Sequence, residues 1–334
     1  MKRVKRLFAC LLALTMMLGL SATAFAEQVE TTPTDQETVI IKKVYKLEGA
    51  GTSPAETFTL EQVGNGIVKD GEAKSAPTLG TITGAAFGVG DAKDPGTEKN
   101  ITVALPEYTS VGVYEYTLKE TAGNTAGVDY YGKNIKLVVT VVNADNNGKL
   151  RVAAVHTEDV NGEKSDTFVN TYSAGTLNVS KTVTGNLGDK DKYFEFKVKL
   201  TGETGKTYGN SYTVTGGSNA ENPGTIQIGE ETTFLLKDRE TISIANLPYG
   251  VTYTVTETAA DGYTTKVNGT DGNKVTEQKI SSAAQDVAFE NNKNKEAGDI
   301  DTGVYLDNLP YILVFAGVLA IAVVFAVRRR RFED

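Results

Sequence analysis

The sequence predicts an all-β protein made of two tandem sandwich domains, broadly immunoglobulin-like. Three observations predict it. Between the two ends of the chain, short runs of β-branched and aromatic residues alternate with polar ones at period two, the spacing of half-buried strands. Gly and Asn turn signals separate these runs, and no segment shows a convincing period of 3.6. The whole pattern then starts again halfway along, as an internal repeat does.

Both ends of the 334-residue chain carry targeting signals and are set aside from the fold. Lys2, Arg3, Lys5 and Arg6 precede an apolar stretch from Leu7 to Leu20. Ala24-Phe25-Ala26 then forms a small-residue cleavage site, so residues 1–26 read as a signal peptide cut between Ala26 and Glu27. The one cysteine, Cys10, leaves with it, so any covalent staple in the exported part is not a disulfide. At the other end, the apolar run 309–327 is long enough to cross a bilayer core as a helix of about 28 Å. Arg328 to Arg331 then hold the terminus in the cytoplasm.

The formal net charge is −8. Without the signal peptide, and without residues from Gly303 on, the exported part carries −13. So acidic a chain repels phosphates, which argues against nucleic acid as a partner and for a soluble surface protein.

Residues 27–37 are rich in Thr, Glu, Gln and Pro and read as a flexible lead. The first domain, 38–172, opens on the strand Val39 to Tyr45. Phe58 to Glu61 alternates, whereas Asn65 to Ala92 is Gly-rich and poorly periodic. Ile101 to Leu105, Val113 to Glu120 and Ile135 to Val142 follow, the last nearly all apolar and therefore central. Asn146-Asn147-Gly148 turns the chain into Leu150 to His156, Asn161-Gly162 turns it again, and Phe168-Val169-Asn170 closes the unit. A linker is expected near Ser173-Ala174-Gly175. The second domain, 173–293, repeats the scheme in Leu177 to Val183, Phe194 to Leu200, Thr241 to Ile244, Val251 to Glu257 and Val287 to Asn291. Residues 294–334 hold a further linker, a polar segment at 299–303, the apolar span and the basic tail.

Three residues recur in the same order in both units. Each has a lysine in its first strand, a Tyr-x-aliphatic-x-Glu strand and a closing Phe-x-Asn. Because side chains alternate faces along a strand, Lys181 shares its face with Leu177, Val179 and Val183 and points inward. Glu257 likewise shares a face with Tyr253 and Val255, and Asn291 with Phe289. In the first unit the matching residues are Glu120 and Asn170. The lysine there is Lys42 or Lys43; both faces are apolar, and Lys43 is preferred because its face carries Val39, Ile41, Tyr45 and Leu47. Any one such residue is ordinarily a solvated strand residue or half of a simple ion pair; the repetition of the trio singles it out.

The trio has a chemical use. Burial disfavours charge, so a lysine in an apolar core loses its proton and becomes a nucleophile. A buried carboxyl keeps its proton more readily, and can then polarise the asparagine carbonyl and pass protons. Attack on that carbonyl expels ammonia and leaves a Lys–Asn isopeptide bond, a single-turnover self-crosslink rather than an enzyme activity on an external substrate. No other catalytic constellation is found. His156 is the only histidine, so neither a metal cluster nor a Ser-His-Asp arrangement is available, and no metal or cofactor is expected.

These residues, in this order and between these two ends, resemble the two-domain backbone pilins of Gram-positive bacteria, whose domains resemble reverse-Ig, collagen-adhesin B-type folds and form autocatalytic Lys–Asn bonds with a catalytic Glu. Tyr253-x-Val255-x-Glu257-Thr258 with Gly262-Tyr263 resembles that family's glutamate box, and Gly112-Val113-Tyr114-x-Tyr116-x-Leu118-x-Glu120 is its counterpart. Ser180-Lys181-Thr182-Val183-Thr184-Gly185 resembles its lysine strand. The resemblance implies crosslinks Lys43–Asn170 and Lys181–Asn291, with Glu120 and Glu257 as the catalytic carboxylates. It also implies a sortase that cuts between Thr302 and Gly303, other pilin subunits and peptidoglycan as partners, and Lys164 as the inter-subunit acceptor. The sorting signal departs from the usual LPxTG type, with Asp301 where related pilins have Pro. The expected protein is therefore a secreted, wall-anchored pilus subunit whose membrane anchor is transient. The alternative is a monomeric wall- or membrane-anchored adhesin, with the 65–99 region as a loop for a host surface ligand.

Overall fold

The computed structural model describes residues 36–144 and 149–295. The expected signal peptide, most of the lead, the Asn146-Asn147-Gly148 turn, the sorting signal and the 309–327 span lie outside the described residues. Among the described residues the chain forms strands only, and no helix is long and apolar enough to cross a membrane.

The first half contains β1 (Thr38–Gly49), β2 (Glu56–Phe58), β3 (Leu60–Gln62), β4 (Ile67–Gly71), β5 (Ile82–Thr83), β6 (Ala85–Phe87), β7 (Thr97–Ala104), β8 (Gly112–Glu120), β9 (Val128–Asp129), β10 (Asn134–Asn143) and β11 (Leu150–Glu158). β12 (Thr167–Thr184) follows. The second half contains β13 (Phe194–Thr201), β14 (Tyr212–Gly216), β15 (Thr225–Ile226), β16 (Glu231–Leu236), β17 (Thr241–Pro248), β18 (Thr252–Glu257), β19 (Thr264–Val267), β20 (Thr270–Asp271), β21 (Lys274–Lys279) and β22 (Ala284–Asn292).

Each half is a sandwich around its own apolar core. In the first, β5, β7, β1 and the start of β12 form one sheet; β11, β10 and β8, with β3 and β4 on the free edge of β8, form the other. Tyr45, Phe58, Ile101, Tyr114, Leu137 and Phe168 fill the space between. In the second, β15, β14, β17, the end of β12, β22 and β19 lie in one sheet, opposite β16, β13, β18 and β21. Leu177, Phe196, Phe234, Ile244, Val255 and Phe289 pack there. The alternation read from sequence is what builds both cores: burial changes with every residue along β18, and along β8 from Val113 on, so one face of each goes inside.

Two features differ from the sequence expectation. First, no loop separates the halves. Ser173-Ala174-Gly175 lies inside the single eighteen-residue strand β12, which pairs in parallel with β1 through its first part and with β22 through its second. The small residues permit close backbone approach rather than flexibility. Ala174 is fully buried and accepts a hydrogen bond from the Ala50 N–H at 2.7 Å. A Cβ on Gly175 would lie 2.1 Å from the Ser282 carbonyl oxygen, a backbone atom that cannot swing aside. Second, the Gly-rich stretch after Asn65 is not an open loop. β4 pairs with β8, β5 with β7 and β6 with β2, so this region is laid onto the first sandwich.

The junction is further tied by hydrogen bonds between the halves. Ala126 N–H donates to Thr207 O at 2.9 Å, and Thr207 N–H donates to Asn124 O at 2.8 Å. Asn246, in the left-handed region at φ 61°, accepts from the Thr52 N–H at 2.9 Å and from the Tyr172 hydroxyl at 3.3 Å. Asparagine is one of the few side-chain-bearing residues that tolerate that backbone conformation.

Candidate functional site

Each sandwich holds one buried Lys–Glu–Asn cluster, assembled in the same way. The first and last strands of each domain are parallel neighbours. Lys43 on β1 is in register with Phe168 on β12, and Lys181 on β12 is in register with Phe289 on β22. Asn170 and Asn291 stand two residues further on, on the same face. The glutamate comes from the opposite sheet: Glu120 ends β8 and Glu257 ends β18. The offset is identical in both domains, so the repeat seen in sequence is a repeat of geometry.

In the first domain Lys43 is 1% exposed, Glu120 3% and Asn170 fully buried. Lys43 Nζ donates to Glu120 Oε2 and, at 2.6 Å, to Asn170 Oδ1. Asn170 Nδ2 donates to Glu120 Oε1 at 2.5 Å. The three side chains thus form a closed triangle, with the amine against the carboxamide it would attack. The walls are aromatic: the Phe58 and Tyr131 ring centroids lie 5.3 and 5.7 Å from Nζ, and Phe168 packs edge-on against Tyr131. The neighbouring Lys42 points the other way, to surface pairs with Glu98 and Asp166 at 3.8 Å each. The two lysines are therefore distinguished by burial, and Lys43 is the one in the core.

In the second domain Lys181 and Glu257 are each 1% exposed and Asn291 is fully buried. Lys181 Nζ lies 2.9 Å from both Glu257 oxygens. Asn291 Nδ2 donates to Glu257 Oε1, while its Oδ1 is buried with no hydrogen-bond partner. Phe194 stands 4.2 Å from Nζ and Phe196 5.7 Å, with Phe289 edge-on to Phe196.

Burial acts on both amines. Desolvation pushes the Lys43 ammonium below its usual range, opposed by the charge of Glu120 and its hydrogen bond. Desolvation lowers Lys181 to about 8, against the hydrogen bond and charge of Glu257. An amine in this range is neutral part of the time at physiological pH, the condition for nucleophilic attack.

The remaining residues singled out from sequence lie elsewhere. Lys164 is exposed in the turn before β12, bridged through its backbone to Glu158. Ala26, Glu27, Thr302 and Gly303 lie outside the described residues. His156 is half-buried, with Nε2 3.0 Å from Glu158 Oε1, and the described residues hold no group of His, Cys, Asp and Glu able to bind a metal. Sequence reasoning missed the aromatic walls from Phe58, Tyr131 and Phe194 and a backbone donor, the Tyr131 N–H, which donates to Asn170 Oδ1. The aromatics are legible only as core residues; the donor has no side-chain signature at all.

Residues 39–173 match the family described as the Spy0128-like isopeptide containing domain, and residues 175–293 match a domain of unknown function, DUF7601. A pilin of Streptococcus pyogenes serotype M1 is 26% identical over 329 residues, which cover 92% of this chain and 95% of that one. The pilus tip adhesin Cpa of Streptococcus pyogenes is 36% identical over 120 residues. That match covers 35% of this chain, but the chain spans only 17% of the adhesin's length. The crystal structure of the major pilin from Streptococcus pyogenes superposes with a TM-score of 0.51 at 24% identity, covering 78% of this chain and 99% of the other, a likeness of fold.

Proposed function

We infer that this chain, whose residues 39–173 belong to the Spy0128-like isopeptide-containing domain family, is a structural subunit of a Gram-positive surface pilus with other pilin subunits as partners. The observation that carries the reading is the pair of buried Lys–Glu–Asn clusters, placed identically in two tandem sandwiches. In each, the lysine amine attacks Cγ of the asparagine. The Nζ–Cγ bond forms, a proton of the amine passes through the glutamate carboxyl to Nδ2, the Cγ–Nδ2 bond breaks and ammonia leaves. The products are Lys43–Asn170 and Lys181–Asn291 bonds, with Glu120 and Glu257 as the proton-transferring groups. The chain acts once on itself and on no external substrate.

The pH dependence follows from the shared proton. A neutral amine beside a protonated carboxyl carries the same number of protons as the ion pair, so the reactive form is a fixed share of the one-proton pair. That proton is lost as pH rises through the lowered value of Lys181, about 8. Above it the pair holds no proton to lend Nδ2 as attack begins, and the proton of the amine is freed only once the Nζ–Cγ bond has formed. Crosslinking of newly made second domain, followed by intact mass after cell-free synthesis, should slow above pH 8, approaching roughly tenfold per unit. A rate that climbs steadily to pH 10 contradicts the proton-sharing step.

Polymerisation is proposed to join Thr302 of one subunit, after a sortase cuts the Thr302–Gly303 bond, to Lys164 of the next, with final attachment to peptidoglycan. Lys164 supports this as an exposed amine in a turn immediately before β12, accessible to a bulky acyl-enzyme. The 309–327 span holds the precursor at the membrane until that cut. A wall extract of the native cell should give a ladder of covalent multimers, and Lys164→Ala should collapse it to a single band. A ladder that survives the substitution removes Lys164 as the acceptor. A single band from the unaltered chain would instead favour a monomeric adhesin that binds a host surface ligand.

A further inference from the structure

The two clusters differ in how the lysine is shared and, most of all, at the asparagine carbonyl oxygen, the atom on which negative charge develops. Attack on an amide carbon pushes an electron pair onto the carbonyl oxygen, so donors aimed at that oxygen lower the barrier. In the first domain Asn170 Oδ1 accepts two hydrogen bonds. One comes from Lys43 Nζ, the nucleophile itself. The other comes from the backbone N–H of Tyr131 at 2.8 Å. A backbone N–H can only donate, so it also fixes which end of the Asn170 amide is oxygen and turns Nδ2, the leaving nitrogen, toward Glu120.

The second domain lacks this donor. Asn291 Oδ1 is buried with no hydrogen-bond partner. The tyrosine that follows its glutamate strand, Tyr263, is present, and its ring packs edge-on against Phe194 beside Lys181. Its N–H, however, donates to Ala260 O at 3.1 Å and closes a turn. One tyrosine thus supplies an aromatic wall and an oxyanion donor, the other the wall alone.

We propose that the Tyr131 backbone N–H is a catalytic oxyanion donor for the Lys43–Asn170 bond, and that its absence at Asn291 makes the first domain crosslink before the second. The inference rests on the isopeptide reading above. Nothing beyond that reaction is consumed: as the Nζ–Cγ bond forms, the carbonyl pair moves onto Oδ1 under the N–H, and it returns as ammonia leaves.

The test is a time course of the whole exported chain after cell-free synthesis, with each crosslinked peptide quantified separately by mass spectrometry. In the unaltered chain the Lys43–Asn170 peptide should appear first; simultaneous appearance or the reverse order overturns the proposal. Replacing the residue-131 amide by an ester, through the α-hydroxy analogue of tyrosine, removes the N–H and keeps the ring. It should slow the first bond by roughly 100-fold, leaving the second at its normal rate. An ester variant that crosslinks its first domain at the unaltered rate also overturns the proposal. If the ester disturbs folding, the order of the two bonds in the unaltered chain still decides. Absence of both bonds from the unaltered chain would show that the isopeptide reading itself had failed.

Discussion

Asn291→Ala should lower the melting temperature of the second domain by roughly 15–20 °C. The proposed Lys181–Asn291 bond closes a loop of roughly 110 residues, and by analogy with disulfide loops such a closure stabilises by about 5 kcal/mol, mostly by restricting the unfolded chain. Asn291 is the informative position because its removal leaves the Lys181–Glu257 pair intact, with Nζ still 2.9 Å from both carboxylate oxygens. The loss then reports the covalent bond rather than a stranded charge. Glu257→Ala should abolish the same bond and cost at least as much, because it also strips the buried lysine of its partner. In both variants the intact mass should lack one of the two ammonia losses. Calorimetry that finds the Asn291→Ala domain melting within a few degrees of the parent would mean that no bond had formed there.

The parts of the fold that were legible in the sequence are those where one face of a strand is buried. Val113 to Glu120 and Val251 to Glu257 alternate because their inward residues fill a core, and the same rule turned Glu120 and Glu257 inward. The strand Lys274–Lys279 was not legible, because nearly every residue in it is exposed and it has no apolar face to reveal it. β4 to β6 were missed for a second reason: at two to five residues each they are too short to show a period. Ser173-Ala174-Gly175 misled for a third. Small residues serve equally for mobile linkers and for tight backbone packing, and only the neighbours decide; here Gly49, at φ 81°, is so close that an added Cβ would meet Ala174 O at 2.2 Å. The choice between Lys42 and Lys43 was open because both faces of β1 carry aliphatics. It closes on which face meets the second sheet.

β12 sets how tension would travel through a polymer of this chain, and the two proposed bonds should not contribute equally. Both attach to that one strand, at Asn170 and at Lys181. A pull applied at the N-terminus enters β1, crosses Lys43–Asn170 into β12, follows it to Lys181, crosses to Asn291 on β22 and leaves. Residues 44–169 and 182–290 are bypassed. With the proposed acceptor Lys164, however, the pull in the assembled polymer would enter only a few residues before Asn170, just ahead of β12. From there it reaches Lys181 without crossing the first bond, whereas the second bond still lies on its path. Single-molecule pulling between Lys164 and the C-terminal end should therefore extend the unaltered chain by no unfolding step. Asn291→Ala should release on the order of 350 Å as its second domain unravels, and Asn170→Ala should release nothing. Moving the first handle to the N-terminus should reverse the outcome for Asn170→Ala, which then frees on the order of 400 Å. A release from Asn170→Ala in the Lys164 geometry would show that force does not stay within β12, and the path described here would be wrong.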